Sequence, residues 1–167
     1  MKLLIVRHAI AMDRDEFVAT GQSDDLRPLT AAGRRRMRSV AKGLASTVVP
    51  DLIATSPLTR AMETAAILGR AYDVKVGAKV DALRPESPPD ELIAWARTQP
   101  ADSTVAVVGH EPHLSQLVAW LTTGRRSAFL ELKKGGACLV EFEGAPKESG
   151  GILLWGMRPS QLVALGG

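Results

Sequence analysis

KLLIVRHA, residues 2–9, sets four consecutive apolar side chains, Leu3 to Val6, directly against Arg7 and His8. A strand with one wet face alternates apolar and polar residues. An unbroken apolar run suits a strand covered on both faces, as parallel strands are when helices pack on either side. Arg7 and His8 then stand where that strand ends. In open α/β sheets, ligands bind outside the carboxyl ends of the strands, so this pair sits where function collects.

Outward from this stretch, short apolar runs alternate with amphipathic segments, the pattern of an α/β chain with parallel strands. Strands are expected at Lys2–Val6, Asp51–Thr55, Val74–Val80, Thr104–Val108, Ala137–Phe142 and Ile152–Met157, and helices at Thr30–Thr47, Leu58–Tyr72, Pro89–Arg97 and Pro112–Thr122. Thr30 is placed to cap the first of these helices, and Pro57 and Pro112 stand where a first helical turn tolerates proline. The last two strands are separated only by EGAPKESGG, a turn-rich linker, and should form a hairpin, which makes the sheet mixed. No internal repeat or low-complexity segment interrupts the pattern.

A length of 167 residues fits one domain with a full core, residues 1–167. The composition, 46% hydrophobic and 23% charged, is that of a soluble globular chain, and no apolar run is long enough to span a membrane. No leader-like segment precedes the first strand, so a cytoplasmic location is expected. The lone cysteine, Cys138, falls in the strand-like run GACLVEFE, where a buried, inert thiol is expected. The net charge of +3, with few aromatics, gives little reason to expect a nucleic-acid partner. GRRRMR, residues 33–38, reads first as a solvated helix face, with an anionic backbone or an acidic partner as lesser options. The oligomeric state and the role of Arg34 to Arg38 stay open.

Strand ends gather the remaining chemistry. The second strand ends at Ser56-Pro57 and brings Arg60 into the next helix; the fourth ends at Gly109-His110, with His113 close behind. If these ends are neighbours, Arg7, His8, Arg60 and His110 surround one cavity beside helix N-termini, and no carboxylate in these motifs serves as counter-ion. A bound anion is then the natural partner, and phosphate fits two guanidinium forks. A metal site built from His110, His113 and His8 with Asp13 or Glu111 is the weaker reading, because two guanidinium groups would repel a divalent cation. A histidine among positive charges is held neutral and can attack phosphorus, giving a phosphohistidine intermediate. No glycine-rich nucleotide loop or Walker lysine is present, which disfavours a kinase or NTPase. No metal and no cofactor are expected.

VRHA at the first strand, RPLTAAG before the first long helix, TSPLTRAMETA at the second strand and VVGHEPHL at the fourth together resemble the histidine phosphatase superfamily, with its phosphoglycerate mutase-like fold. The short chain and the RHA…LRPLT…G opening resemble its small bacterial phosphohistidine phosphatases of the SixA type. The resemblance spans about residues 2–121. It implies a three-layer α/β/α sandwich around a mostly parallel mixed sheet. It also implies a metal-independent phosphatase with His8 as the phosphorylated nucleophile and Arg7, Arg60 and His110 binding the phosphoryl oxygens. Arg27 would be structural or at the rim, Ser56 a turn residue or at the rim, and His113 at the rim or a cap.

The chain departs from that family in one place. Many members carry a glutamate general acid in the loop after the third strand, whereas DALRPESPPDEL puts Pro85 there; Glu86 is the nearest substitute, with Asp90 and Asp13 weaker. A phosphohistidine substrate leaves as imidazole, which can take its proton from solvent, so a weak acid site hints at a P–N bond. Only about ten residues, Leu83 to Leu92, stand where other members insert a lid. Protein phosphohistidine is therefore the favoured substrate. A broad phosphomonoesterase acting on small metabolites or nucleotides is the alternative, and a non-catalytic phosphate-binding module is the reading from a different class.

Overall fold

The computed structural model describes residues 1–167. Its strands are β1 (Lys2–Arg7), β2 (Leu52–Thr55), β3 (Val76–Lys79), β4 (Thr104–Gly109), β5 (Ala137–Phe142) and β6 (Gly151–Met157). Its helices are α1 (Arg14–Val18), α2 (Ala31–Ala45), α3 (Thr59–Tyr72), α4 (Pro89–Ala96), α5 (His113–Thr123) and α6 (Pro159–Leu165), with single 3-10 turns at Asp24–Leu26 and Asp81–Leu83. All six strands join one sheet in the order β3-β2-β4-β1-β5-β6. The first four run parallel, β5 is antiparallel to β1, and β6 returns antiparallel to β5 as the expected hairpin.

Leu3, Leu4, Ile5 and Val6 are all fully buried, and the pleat explains how. Alternate residues of a strand face opposite sides. Leu3 and Ile5, with Val105 and Val107 of β4, pack under Leu92 of α4 and Leu114 and Leu117 of α5. Leu4 and Val6, with Ala106 and Val108, pack under Met37 and Leu44 of α2, Leu68 of α3 and Leu162 of α6. Two apolar layers thus clasp the sheet, burying β1 on both faces as its continuous run implied and forming the α/β/α sandwich that the resemblance implied.

Most element boundaries move by one or two residues from those expected, and the differences are informative. Thr30 does cap α2, accepting a hydrogen bond from Gly33 N at 2.9 Å. Pro57 and Pro112, by contrast, precede the helices rather than entering their first turns, since α3 begins at Thr59 and α5 at His113. Helices α1 and α6 were not expected. The first is one short turn capped by Asp13, whose Oδ1 accepts from Asp15 N and Glu16 N. The second starts at Pro159 and docks on α2 at Gly43, where the Leu162 carbonyl leaves no room for a Cβ.

This topology positions the site. Helix α2, which follows β1, lies on one face of the sheet; α5, which follows β4, lies on the other. Between adjacent strands whose connections diverge in this way the sheet opens a crevice at its carboxyl edge. The register aligns Arg7 with Gly109, and Thr55 with Val108, so the ends of β2, β4 and β1 finish level with one another.

Candidate active site

His8 and His110 leave their neighbouring strands with ring centroids 5.1 Å apart. The His8 backbone N–H donates to Gly109 O at 3.0 Å, and Ser56 N–H donates to Val108 O at 2.9 Å, stitching the three strand ends together. Arg60, in the first turn of α3, reaches the same place and is only 5% exposed. Arg7, His8, Arg60 and His110 line one cavity of about 450 Å³, as the sequence led us to expect. Arg27 and Glu86 also face it.

The His8 ring is held by its Nδ1, 2.7 Å from Ala9 O. A carbonyl only accepts, so Nδ1 carries the proton, and the lone pair of a neutral ring lies on Nε2. Burial pushes the His8 pKa down to about 3, reinforced by the charges of Arg60, Arg7 and Arg27 against the opposing pull of the Ala9 carbonyl. The ring is therefore neutral near pH 7 and chemically able to act as a nucleophile at Nε2. The segment that carries it is fixed as well. Ala9 N–H donates to Thr64 Oγ1 at 3.0 Å, and that hydroxyl donates to Arg60 O at 2.7 Å, so one α3 side chain ties His8 to Arg60.

His110 is held through Nε2, 2.9 Å from Ser56 Oγ. Burial lowers its pKa to about 2, with further push from His8 and Arg60. Ser56 is fully buried beneath this ring; it is a support for His110, and neither a rim residue nor only a turn former. His113 is corrected more fully. Expected at the rim or as a cap, it is 2% exposed, absent from the cavity wall, and without a partner on either ring nitrogen. It is a core residue of α5, and burial lowers its pKa too.

A carboxylate from outside the quoted motifs joins the cluster. Asp24 stands in the cavity wall, with Oδ1 2.7 Å from Arg27 Nε and Oδ2 3.3 Å from Arg60 Nη2. Arg60 Nη1 donates to the Asp24 carbonyl as well, at 2.9 Å. Burial alone would raise the Asp24 pKa; the Arg27 hydrogen bond and the Arg60 charge outweigh it and hold the carboxyl below its usual value. Arg27, which also donates to Met12 O at 2.7 Å, is thereby a built part of the wall. Arg7 is aimed differently: its Nη1 donates to Leu132 O at 2.6 Å, while Leu132 N–H donates to Glu111, two residues ahead of α5. SDDL, residues 23–26, carried a signal for Asp24 in the serine that caps its turn, but nothing local says that the turn folds onto Arg60.

The other acidic candidates separate. Glu86 faces the cavity, whereas Asp13 caps α1 and Asp90 lies near Arg126 at the surface, 3.6 Å away. No three His, Cys, Asp or Glu side chains gather closely enough to hold a metal ion. GRRRMR is not one solvated face. Arg34 grips Glu63 of α3 at 2.7 and 2.8 Å, Gly33 and Met37 are buried, and the other arginines face outward. Cys138 is fully buried, and burial pushes its thiol up to about 12, as an inert core residue requires.

Residues 3–84, which carry Arg7, His8 and Arg60, match the model of the histidine phosphatase superfamily (branch 1). An uncharacterized protein of a Picosynechococcus strain is 34% identical over 139 residues, 81% of this chain and 82% of its own. The chain belongs to the histidine phosphatase superfamily. Among solved structures, the protein histidine phosphatase SixA, complexed with tungstate, superposes with a TM-score of 0.81 at 25% identity, covering 97% of this chain and 99% of that one. A variant of a phosphoserine phosphatase from Entamoeba histolytica, solved with phosphoserine, shares the fold at a TM-score of 0.67 and 19% identity, over 96% of this chain and 98% of that one. The chain is thus SixA-like in its build. No helix is long and apolar enough to cross a membrane.

Proposed function

We propose that the protein is a phosphohistidine phosphatase that works through a phosphoryl intermediate on His8. The observation that carries the reading is the His8 ring, locked by Ala9 O with its nucleophilic Nε2 unprotonated, inside a cavity walled by Arg7, Arg60 and His110. In the first half-reaction the Nε2 lone pair forms a bond to phosphorus, and the leaving group departs with the electrons of its own bond and takes up a proton. In the second, water attacks phosphorus, gives a proton to solvent or Glu86, and the N–P bond breaks with its electrons returning to Nε2. The product is inorganic phosphate.

Arg7 and Arg60 stabilise the phosphoryl oxygens in both halves. Their Nε groups, and Nδ1 of His110, are buried without a partner in the protein, and oxygen acceptors of a phosphoryl group would satisfy such donors. A His110 ring protonated on Nδ1, its Nε2 accepting from the Ser56 hydroxyl 2.9 Å away, would be such a donor. Each such contact is worth ~10²–10³ in rate.

Two features favour a phosphohistidine over an alkyl phosphate. Pro85 and Glu86 are the parts of the segment after β3 that reach the cavity, so Glu86 is the acid that segment supplies, and it is exposed to solvent. Asp24, Glu86 and Glu111 also bring negative charge to the wall, which suits a leaving imidazole that gains a proton. Turnover of a phosphohistidine peptide against glycerol phosphate tests the choice. We expect kcat/KM to favour the peptide by at least about 100-fold, since a leaving alkoxide depends on the solvent-exposed Glu86 for its proton and a leaving imidazole does not; equal rates would make the protein a broad phosphomonoesterase instead.

A further inference from the structure

A second concavity, of about 510 Å³, adjoins the catalytic cavity and shares Arg7 and Lys134 with it. Arg36 of α2, Lys133 and Lys134 before β5, and Arg158 at the start of α6 line it, with Glu131 as its one acid. That acid is already neutralised, by Lys133 at 2.7 Å and Arg7 at 3.8 Å. Arg36, Lys134 and Arg158 take part in no ion pair, whereas the neighbouring Arg34 is paired with Glu63 and Arg27 with Asp24. Three uncompensated cations in one hollow form a field that its own fold does not quench, in a chain whose net charge is only +3.

We propose that this groove binds an acidic polypeptide segment next to the phosphorylated residue of the substrate protein. The inference rests on the phosphohistidine reading above and deepens it. A phosphoryl group seated against His8 and Arg7 puts the flanking chain at the mouth the two hollows share, and carboxylates two or more residues along can then reach Lys134, Arg36 and Arg158. The lining has no aromatic side chain on which bases could stack, so the charge pattern fits a polypeptide better than a single-stranded nucleic acid. The groove would act on substrate capture, leaving the chemistry at His8 unchanged.

The test uses the double variant Arg36→Ala/Arg158→Ala, whose side chains lie outside the catalytic cavity. Two phosphohistidine peptides of equal length are compared, one flanked by glutamate and aspartate, the other by serine and glycine. The native protein should turn over the acidic peptide with a KM at least about tenfold lower, and the variant should lose that advantage while kcat and the turnover of p-nitrophenyl phosphate stay unchanged. No preference in the native protein, or a preference the variant keeps, overturns the groove. If neither peptide is hydrolysed, the phosphohistidine reading has failed, and fluorescence anisotropy with a labelled, unphosphorylated acidic peptide still decides the groove. Binding weakened about tenfold in the variant upholds it, and an unchanged Kd overturns it. A labelled oligodeoxynucleotide that binds as tightly, and loses as much in the variant, overturns the assignment to polypeptide.

Discussion

At the scale of single residues the site is governed by burial. All three histidines have pKa values lowered from 6.5, to about 3 for His8 and about 2 for His110, with desolvation the largest cause in each. In the unfolded chain they bind protons near pH 6.5, so between that value and about 3 the unfolded state holds more protons than the native one. Stability must then fall as pH drops through this window and be fully present above it. We expect the urea midpoint to decline steadily below pH 6.5, with a shallower slope in His113→Leu, whose ring has no partner to lose. In NMR spectra, the ring Cε1–H signals of His8 and His110 should not titrate between pH 5.5 and 8.

Asp24 and Glu86 make separate predictions at the same scale. Asp24→Asn removes a carboxylate that competes with any anion for Arg27 and Arg60, yet keeps the backbone carbonyl that holds Arg60. Inhibition by inorganic phosphate should become tighter, by about threefold or more, since a like charge within several ångströms opposes the anion; weaker inhibition would mean that Asp24 chiefly positions the arginines. Glu86→Gln should slow hydrolysis of an alkyl phosphate by ~10²–10⁴, the range for a lost general acid, and slow a phosphohistidine peptide only a few-fold. Equal losses on both substrates would count against Glu86 as the donor.

At the scale of elements, close backbone approaches set which helices can dock. Gly43 of α2 faces the Leu162 carbonyl of α6 so closely that a Cβ would collide with it. Gly43→Ala should destabilise the fold by about 1–3 kcal/mol, the usual cost of overpacking, read as a lower urea midpoint. The long elements were legible because their periodicities are long: β1 shows its burial in four letters, and α2 shows its cap in Thr30. The two short helices were not. Helix α1 spans five residues and α6 seven, too few for a hydrophobic period. Their local signals were present, Asp13 three residues before Glu16 and Pro159 ahead of a closing Gly166-Gly167.

Across the whole molecule, the candidate site was legible where function and topology coincide. Arg7, His8, Arg60 and His110 each follow or adjoin a strand end, so knowing the strands sufficed to bring them together. Asp24, Thr64 and the Leu132 carbonyl were not legible, because each acts through a contact between segments far apart in sequence. The same holds for Ser56 and His113, whose burial depends on what packs above them. The superfamily supplies the fold and the reaction class, while the basic groove and the carboxylates of the cavity give this chain its own character.

The central claim is a covalent bond between phosphorus and His8 Nε2. Rapid mixing with a labelled phosphohistidine peptide, quenched in alkali to preserve P–N bonds, measures it directly. The account predicts label on the protein that is stable in base, released by acid, located on His8 by peptide mapping, and absent from His8→Asn. Turnover without such label in the native protein, or label that persists in His8→Asn, would contradict it.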